Sequence, residues 1–230
     1  DYYSSLLSLQ RIPPERILEI PLPKGFTLRP GKIHKASGKS SGDSINYAAR
    51  ICLKKEYSAM ITLPISKEAL NLGGYNYPGH TEMLTKLTSS HNAVMILYSK
   101  KFSVALMTGH IPVSEISKKI TGSSLFKKII TVNNSLVKDF KIKNPRIAVL
   151  SLNPHAGDGG LIGKEEEKII IPLIEKMNSM GFNRRGPFPS DAFFANRTFR
   201  KFDITIALYH DQGLIPFKMI SFDKGVNFTA

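Results

Sequence analysis

The chain has 230 residues, 42% of them hydrophobic and 22% charged, with a formal net charge of +14. That is room for one large or two small globular domains, and no apolar run approaches the roughly 18 residues of a membrane span. The lysines are spread along the whole chain without aromatic interleaving, which argues against a nucleic-acid patch. The single Cys52 excludes an internal disulfide and, with no basic-then-apolar leader in Asp1-Tyr2-Tyr3-Ser4-Ser5, leads us to expect a cytoplasmic protein.

In chain order, the first 40 residues are rich in proline and read as short strands and loops. Ser44–Glu56 places Ile45, Ala48, Ala49 and Cys52 at helical spacing, with Asp43 or Ser44 available as the cap. Ser58–Leu63 reads as a strand, Gly73–Gly79 as a loop, and a helix begins at Glu82–Leu87. Ala93–Tyr98 and Phe102–Met107 read as a strand pair about the turn Ser99-Lys100-Lys101. Val113–Ile120 is a short helix. Leu125–Phe140 is a longer one, with Leu125, Ile129, Val132, Leu136 and Phe140 on one stripe. Arg146–Leu150 is a buried-type strand. Glu165–Met180 is a helix with acidic residues in its first turn and Gly181 after its end. Asp203–Leu208 is a strand, and Ile215–Ile220 reads as another. Strands alternating with helices predict an α/β fold with a largely parallel sheet.

Four of these strands run into polar clusters, and three of the clusters carry a histidine. Ser103–Met107 leads to Thr108-Gly109-His110, Arg146–Leu150 to Asn153–Gly160 around His155, and Asp203–Leu208 to Tyr209-His210-Asp211-Gln212-Gly213. Ala59–Leu63 leads to Pro64-Ile65-Ser66-Lys67. Ligands bind beyond the carboxyl ends of strands in open α/β sheets, so three imidazoles delivered there predict one metal-centred site. Neutral imidazoles suit zinc, cobalt, nickel or iron and leave a position open for substrate. An imidazole beside a carboxylate, as in His210-Asp211, is either a ligand with its orienting partner or an acid/base pair. The HExxH, P-loop and GxGxxG spacings are all absent. Gly79-His80-Thr81-Glu82 opens a helix and offers N–H groups to an anion, although Thr81 also reads as a plain cap. Lys218, Lys224 and Asn227 follow the last cluster. Gly186-Pro187-Phe188-Pro189-Ser190-Asp191 reads as a stiff turn presenting a carboxylate. His34 and His91 read as surface residues.

Taken together, the stretches Thr62–Ser66, Gly79–Glu82, Gly109–Pro112, Leu152–Gly160, Gly163–Glu166, Gly186–Asp191, Tyr209–Gly213 and Lys224–Asn227 resemble the 4-hydroxythreonine-4-phosphate dehydrogenase family. The resemblance implies a two-lobed isocitrate/isopropylmalate dehydrogenase-like α/β fold with the active site in an interlobe cleft at a homodimer interface. The lobes would be 1–75 with 205–230, and 76–204. It implies a divalent metal (Zn, Co, Mn or Mg) held by His110, His155 and His210. Substrate contacts would come from His80, Thr81, Lys218 and Asn227, with Asp191, Asp211 and Lys218 in the chemistry. The implied reaction is NAD-dependent oxidation of 4-phosphooxy-L-threonine at C3, followed by decarboxylation to 3-amino-2-oxopropyl phosphate, in pyridoxal 5'-phosphate biosynthesis. A sister enzyme acting on threonate or erythronate 4-phosphate shares these motifs. The family's N-terminal strand and the segment beyond Asn227 have no counterpart here, so a fragment is expected. Two readings outside this family compete: a basic nucleic-acid-binding domain, and a metallohydrolase whose triad activates water.

Overall fold

The computed structural model describes residues 30–90, 93–221 and 224–230, with positions 20, 22, 26 and 27. The chain divides into two compact units, Asp1–Ser90 and His91–Ala230. The predicted short strands of the first 40 residues lie largely outside the described residues, as does His91.

In the first unit, α1 (Lys35–Leu53) starts nine residues before its predicted start. Its buried positions Gly38, Gly42, Ile45 and Ala49 recur at three- to four-residue spacing. The two glycines permit close packing: a Cβ on Gly38 would lie 1.6 Å from the Ala69 carbonyl oxygen, and one on Gly42 would lie 2.1 Å from the Tyr75 ring. Ala69 belongs to α2 (Lys67–Leu72), whose first turn is capped by Ser66 Oγ accepting from the Ala69 N–H at 3.2 Å. α3 (His80–Leu87) follows Gly79. The strand predicted over Ser58–Leu63 does not form. No described segment pairs with it, and Ile61 and Leu63 are 94% and 81% exposed. An apolar run with propensity for extension becomes a strand only when a ladder satisfies its N–H and C=O groups. His34 is half-buried beside the start of α1, not a surface residue.

In the second unit the described residues form one six-stranded sheet. Its strands are β1 (Met95–Tyr98), β2 (Val104–Leu106), β3 (Arg146–Leu150), β4 (Asn183–Phe188), β5 (Ile204–Ala207) and β6 (Val226–Thr229), in the spatial order β4-β3-β5-β2-β1-β6. The four strands β4, β3, β5 and β2 pair in parallel; β1 pairs antiparallel with β2 and β6. Side chains alternate between two cores, as the pleat requires. Ile147, Val149, Ile204 and Ile206 face Leu125, Ile129, Val132 and Leu136 of α5 (Gly122–Lys138), which follows the short α4 (Ile116–Lys119), and Met177 of α6 (Ile171–Ser179). Ala148, Leu150, Val104, Leu106 and Ala207 face Phe193 of α7 (Ser190–Ala195), Phe199, and Phe217 of α8 (His210–Ser221). Burial on both faces explains why these strands read as continuous apolar runs.

Three expectations are corrected here. Ile215–Ile220 is helical: it continues α8, whose buried Gly213, Phe217 and Ser221 fall at four-residue spacing, a helical rather than a strand period. Gly186–Asp191 is not one turn, since its first half completes β4 and Ser190-Asp191 opens α7. Residues 205–230 lie in the second unit, where β5 sits between β3 and β2, and β6 pairs with β1; they do not group with 1–75.

Candidate active site at the carboxyl edge of the sheet

Because β4, β3, β5 and β2 are adjacent and parallel, their carboxyl ends open onto one edge. Asp191 follows β4, His155 follows β3, His210 and Asp211 follow β5, and His110 follows β2. The topology therefore delivers the three predicted ligands, and both predicted carboxylates, to the same side of the sheet.

The His110 and His210 rings lie together, with centroids 5.4 Å apart and planes at 44°. His210 Nδ1 is 2.7 Å from Asp211 Oδ1. A proton on Nδ1 donated to that carboxylate leaves the Nε2 lone pair for a ligand. His155 is exposed on the adjacent strand end and does not close a triad with them. Among the described residues, no three His, Cys, Asp or Glu side chains converge closely enough to hold a metal ion.

The loop carrying His155 is built against its own preference. His155, Ala156 and Asp158 have φ of 51°, 53° and 44°, the left-handed region that costs an L-residue about 1–2 kcal/mol each. The fully buried Glu166 offsets part of this. One of its oxygens accepts from the Leu152 and Asn153 N–H groups at 2.7 and 2.8 Å, and the other from Asn153 Nδ2 at 2.8 Å. Glu165 accepts from Ser117 Oγ at 2.6 Å and from Asn153 Nδ2 at 2.9 Å. These bonds, the one to Ser117 foremost, hold its carboxyl below the usual range.

A second buried side chain ties the strand ends. Gln212, 7% exposed, accepts from the Leu208 N–H at 2.6 Å through Oε1. Its Nε2 donates to the Ser151 carbonyl at 2.6 Å and to Ser190 Oγ at 2.8 Å. The Leu208 carbonyl in turn accepts from Thr108 Oγ1 at 2.7 Å. Gln212 and Glu166 stand inside the YHDQG and GKEE stretches, yet no role for either was legible. Their backbone partners lie 4 to 61 residues away in the chain.

The remaining predicted residues lie elsewhere. Lys218 sits eight residues along α8 from His210, about 12 Å by helical rise. It lines a groove of about 610 Å³ with Lys100, Lys101 and Lys224, against the β1–β2 turn. Asn227 on β6 pairs with Leu97, which pairs with Val104 at the start of β2. Lys218 and Asn227 are thus at the amino end of the parallel strands, away from the histidines. His80 and Thr81 open α3 in the first unit. His80 lines a groove there of about 840 Å³ with Ser37, Ser40, Ser41 and Ser44. Its buried Nε2 has no hydrogen-bond partner among the described residues, and burial lowers its pKa.

Fold and site define an α/β protein of the parallel-sheet type, with imidazoles and carboxylates gathered at one sheet edge. The sequence profile of the family described as "Pyridoxal phosphate biosynthetic protein PdxA" matches residues 7–230, and the chain belongs to that family. A 4-hydroxythreonine-4-phosphate dehydrogenase from Prosthecochloris aestuarii is 42% identical over 204 residues, covering 88% of this chain and 60% of that protein. The D-threonate 4-phosphate dehydrogenase of Salmonella typhimurium is 36% identical over 214 residues, covering 93% and 65%. The crystal structure of a 4-hydroxythreonine-4-phosphate dehydrogenase from Klebsiella pneumoniae superimposes with a TM-score of 0.82 at 37% identity, covering 93% of this chain and 64% of that one. The chain therefore spans about 60–65% of the length of these relatives.

Proposed function

We propose that this chain forms part of an NAD- and metal-dependent dehydrogenase that oxidises 4-phosphooxy-L-threonine at C3. The resulting 2-amino-3-oxo acid then loses carbon dioxide to give 3-amino-2-oxopropyl phosphate, a step in pyridoxal 5'-phosphate biosynthesis. The observation that carries this reading is the delivery of His110, His155 and His210 to one edge by three adjacent parallel strands. Neutral imidazoles fit a divalent cation, and the His210–Asp211 contact supplies the orienting carboxylate that metal-bound histidines commonly have.

His110, His155 and His210 would hold the metal, which when bound supplies Lewis acidity at the substrate hydroxyl. NAD would supply the acceptor for the hydride of C3. Asp211 keeps the His210 ring in one tautomer. Asp191, exposed at the start of α7, is assigned to accept the hydroxyl proton. The matching motifs assign Lys218, His80, Thr81 and Asn227 to the anionic groups of the substrate; because Lys218 and Asn227 lie at the other end of the parallel strands from this chain's histidines, they would do so only in a site shared between the two chains of a homodimer. A homodimer with shared sites, working in the cytoplasm, completes the proposal.

The test is NADH formation by the full-length protein from 4-phosphooxy-L-threonine, before and after chelation, with His155→Ala as control. Metal-dependent turnover that is lost in the variant supports the reading; turnover unaffected by chelation and by the substitution would sink it. The Salmonella relative motivates a second reading, oxidation of D-threonate 4-phosphate. The higher identity to the 4-hydroxythreonine-4-phosphate enzyme, 42% against 36%, favours the first. Comparative kcat/KM on the two phosphates separates them.

A further inference from the structure

We infer that Gln212 is a positioning residue that sets the spacing of the strand ends carrying His155, His210 and Asp191. The inference rests on reading His110, His155 and His210 as metal ligands. The β3–β5 ladder pairs Ile147 with Ile204 and Val149 with Ile206. The ladder ends there; two residues further on, the same register would set Ser151 against Leu208. The Gln212 amide stands between them, accepting from the Leu208 N–H and donating to the Ser151 carbonyl. It acts as an inserted peptide group, bonded to both strand ends.

Each partner lies just upstream of a site residue. Ser151 precedes His155 by four positions and Leu208 precedes His210 by two. Ser190, which accepts the second Nε2 hydrogen, precedes Asp191. The Leu208 carbonyl accepts from Thr108, two positions before His110. One side chain thus joins the carriers of two histidines and a carboxylate, and the Leu208 carbonyl links the carrier of the third. Both of its N–H groups are used and it is only 7% exposed, so it has no free donor with which to reach a ligand. Gln212 itself contacts neither metal nor substrate in this reading. It acts through the backbone that aims them, as outer-shell groups around metal ligands do.

The experiment is a Co2+ titration of metal-free, full-length protein, comparing wild type with Gln212→Met, an apolar side chain of similar length. Affinity and the visible Co2+ spectrum are the readouts. The expected result is roughly 10–100-fold weaker Co2+ binding with an altered spectrum in protein whose circular dichroism is native. A merely structural Gln212 would lower the melting temperature of the metal-free protein and leave affinity and spectrum of the folded fraction unchanged; that outcome overturns the inference. Ser190→Ala removes one of the three contacts and provides the test if Gln212→Met does not fold. A severalfold weakening is expected there, and unchanged binding counts against us. Wild-type protein that binds no Co2+ would overturn the metal reading itself, and the inference with it, before any variant is compared.

Discussion

Single side chains at the sheet's carboxyl edge do more for the site than their chemistry alone suggests. Glu166 is the clearest case, a buried carboxylate satisfied by three N–H groups with no cation among its hydrogen-bond partners. Glu166→Ala strands two backbone donors next to a left-handed loop, and we expect a loss of about 2–4 kcal/mol in denaturant unfolding. His155 should lose its aim in the same variant, seen as weaker metal binding. A different residue contributes to the acid limit. Burial alone would raise the Asp203 carboxyl, but the Arg146 side chain and N–H together hold it below the ordinary range. Its folded pKa is depressed, so its contribution is fully present above the unfolded value of about 3.9 and is lost as pH falls through the folded one. Unfolding free energy measured against pH should therefore drop below about pH 4. Asp203→Asn should lower stability at neutral pH and make that drop shallower; an unchanged acid slope would contradict the assignment.

Between elements, glycine decides how closely α8 lies on the sheet. A Cβ on Gly213 would meet Leu106 Cδ2 at 2.7 Å, and Ala207 Cβ and Val104 Cγ2 at 3.0 Å. All three are side-chain atoms, so the helix can move rather than fail. Gly213→Ala should cost about 1–3 kcal/mol. It should also disturb His210, three residues earlier on the same helix. Gly122 at the start of α5 is the contrast, since nothing lies within 4 Å of its Cβ position and its backbone does not need glycine. Gly122→Ala should be neutral or stabilise by up to about 1 kcal/mol, through the entropy of the unfolded chain. Thermal melts of the two variants measured side by side check both expectations.

For the whole molecule, the proposed metal couples the site to stability. A ligand that binds only the folded state at 100 times its Kd adds about 2.7 kcal/mol. Added Co2+ or Zn2+ should therefore raise the melting temperature of full-length protein. His110→Ala, His155→Ala and His210→Ala should each abolish most of that rise while leaving the metal-free melt near wild type. A rise of equal size in all three variants would place the ion elsewhere.

Much of this was open to reading in the chain itself. The apolar stripe of α5, the buried runs of β3 and β5, and the three histidine-bearing clusters all follow from local spacing, because helix and strand periods are properties of neighbouring residues. Three features needed the folded chain. Ser58–Leu63 has no ladder partner among the described residues, and Ile215–Ile220 is apolar enough for either helix or strand until Gly213, Phe217 and Ser221 find the sheet. The roles of Gln212 and Glu166 depend on backbone groups that only folding brings near. Residue type and order determined which groups the chain carries to its strand ends. The parallel order β4-β3-β5-β2 decided that those ends share one edge, because adjacency in a sheet is settled by long-range pairing and not by local propensity.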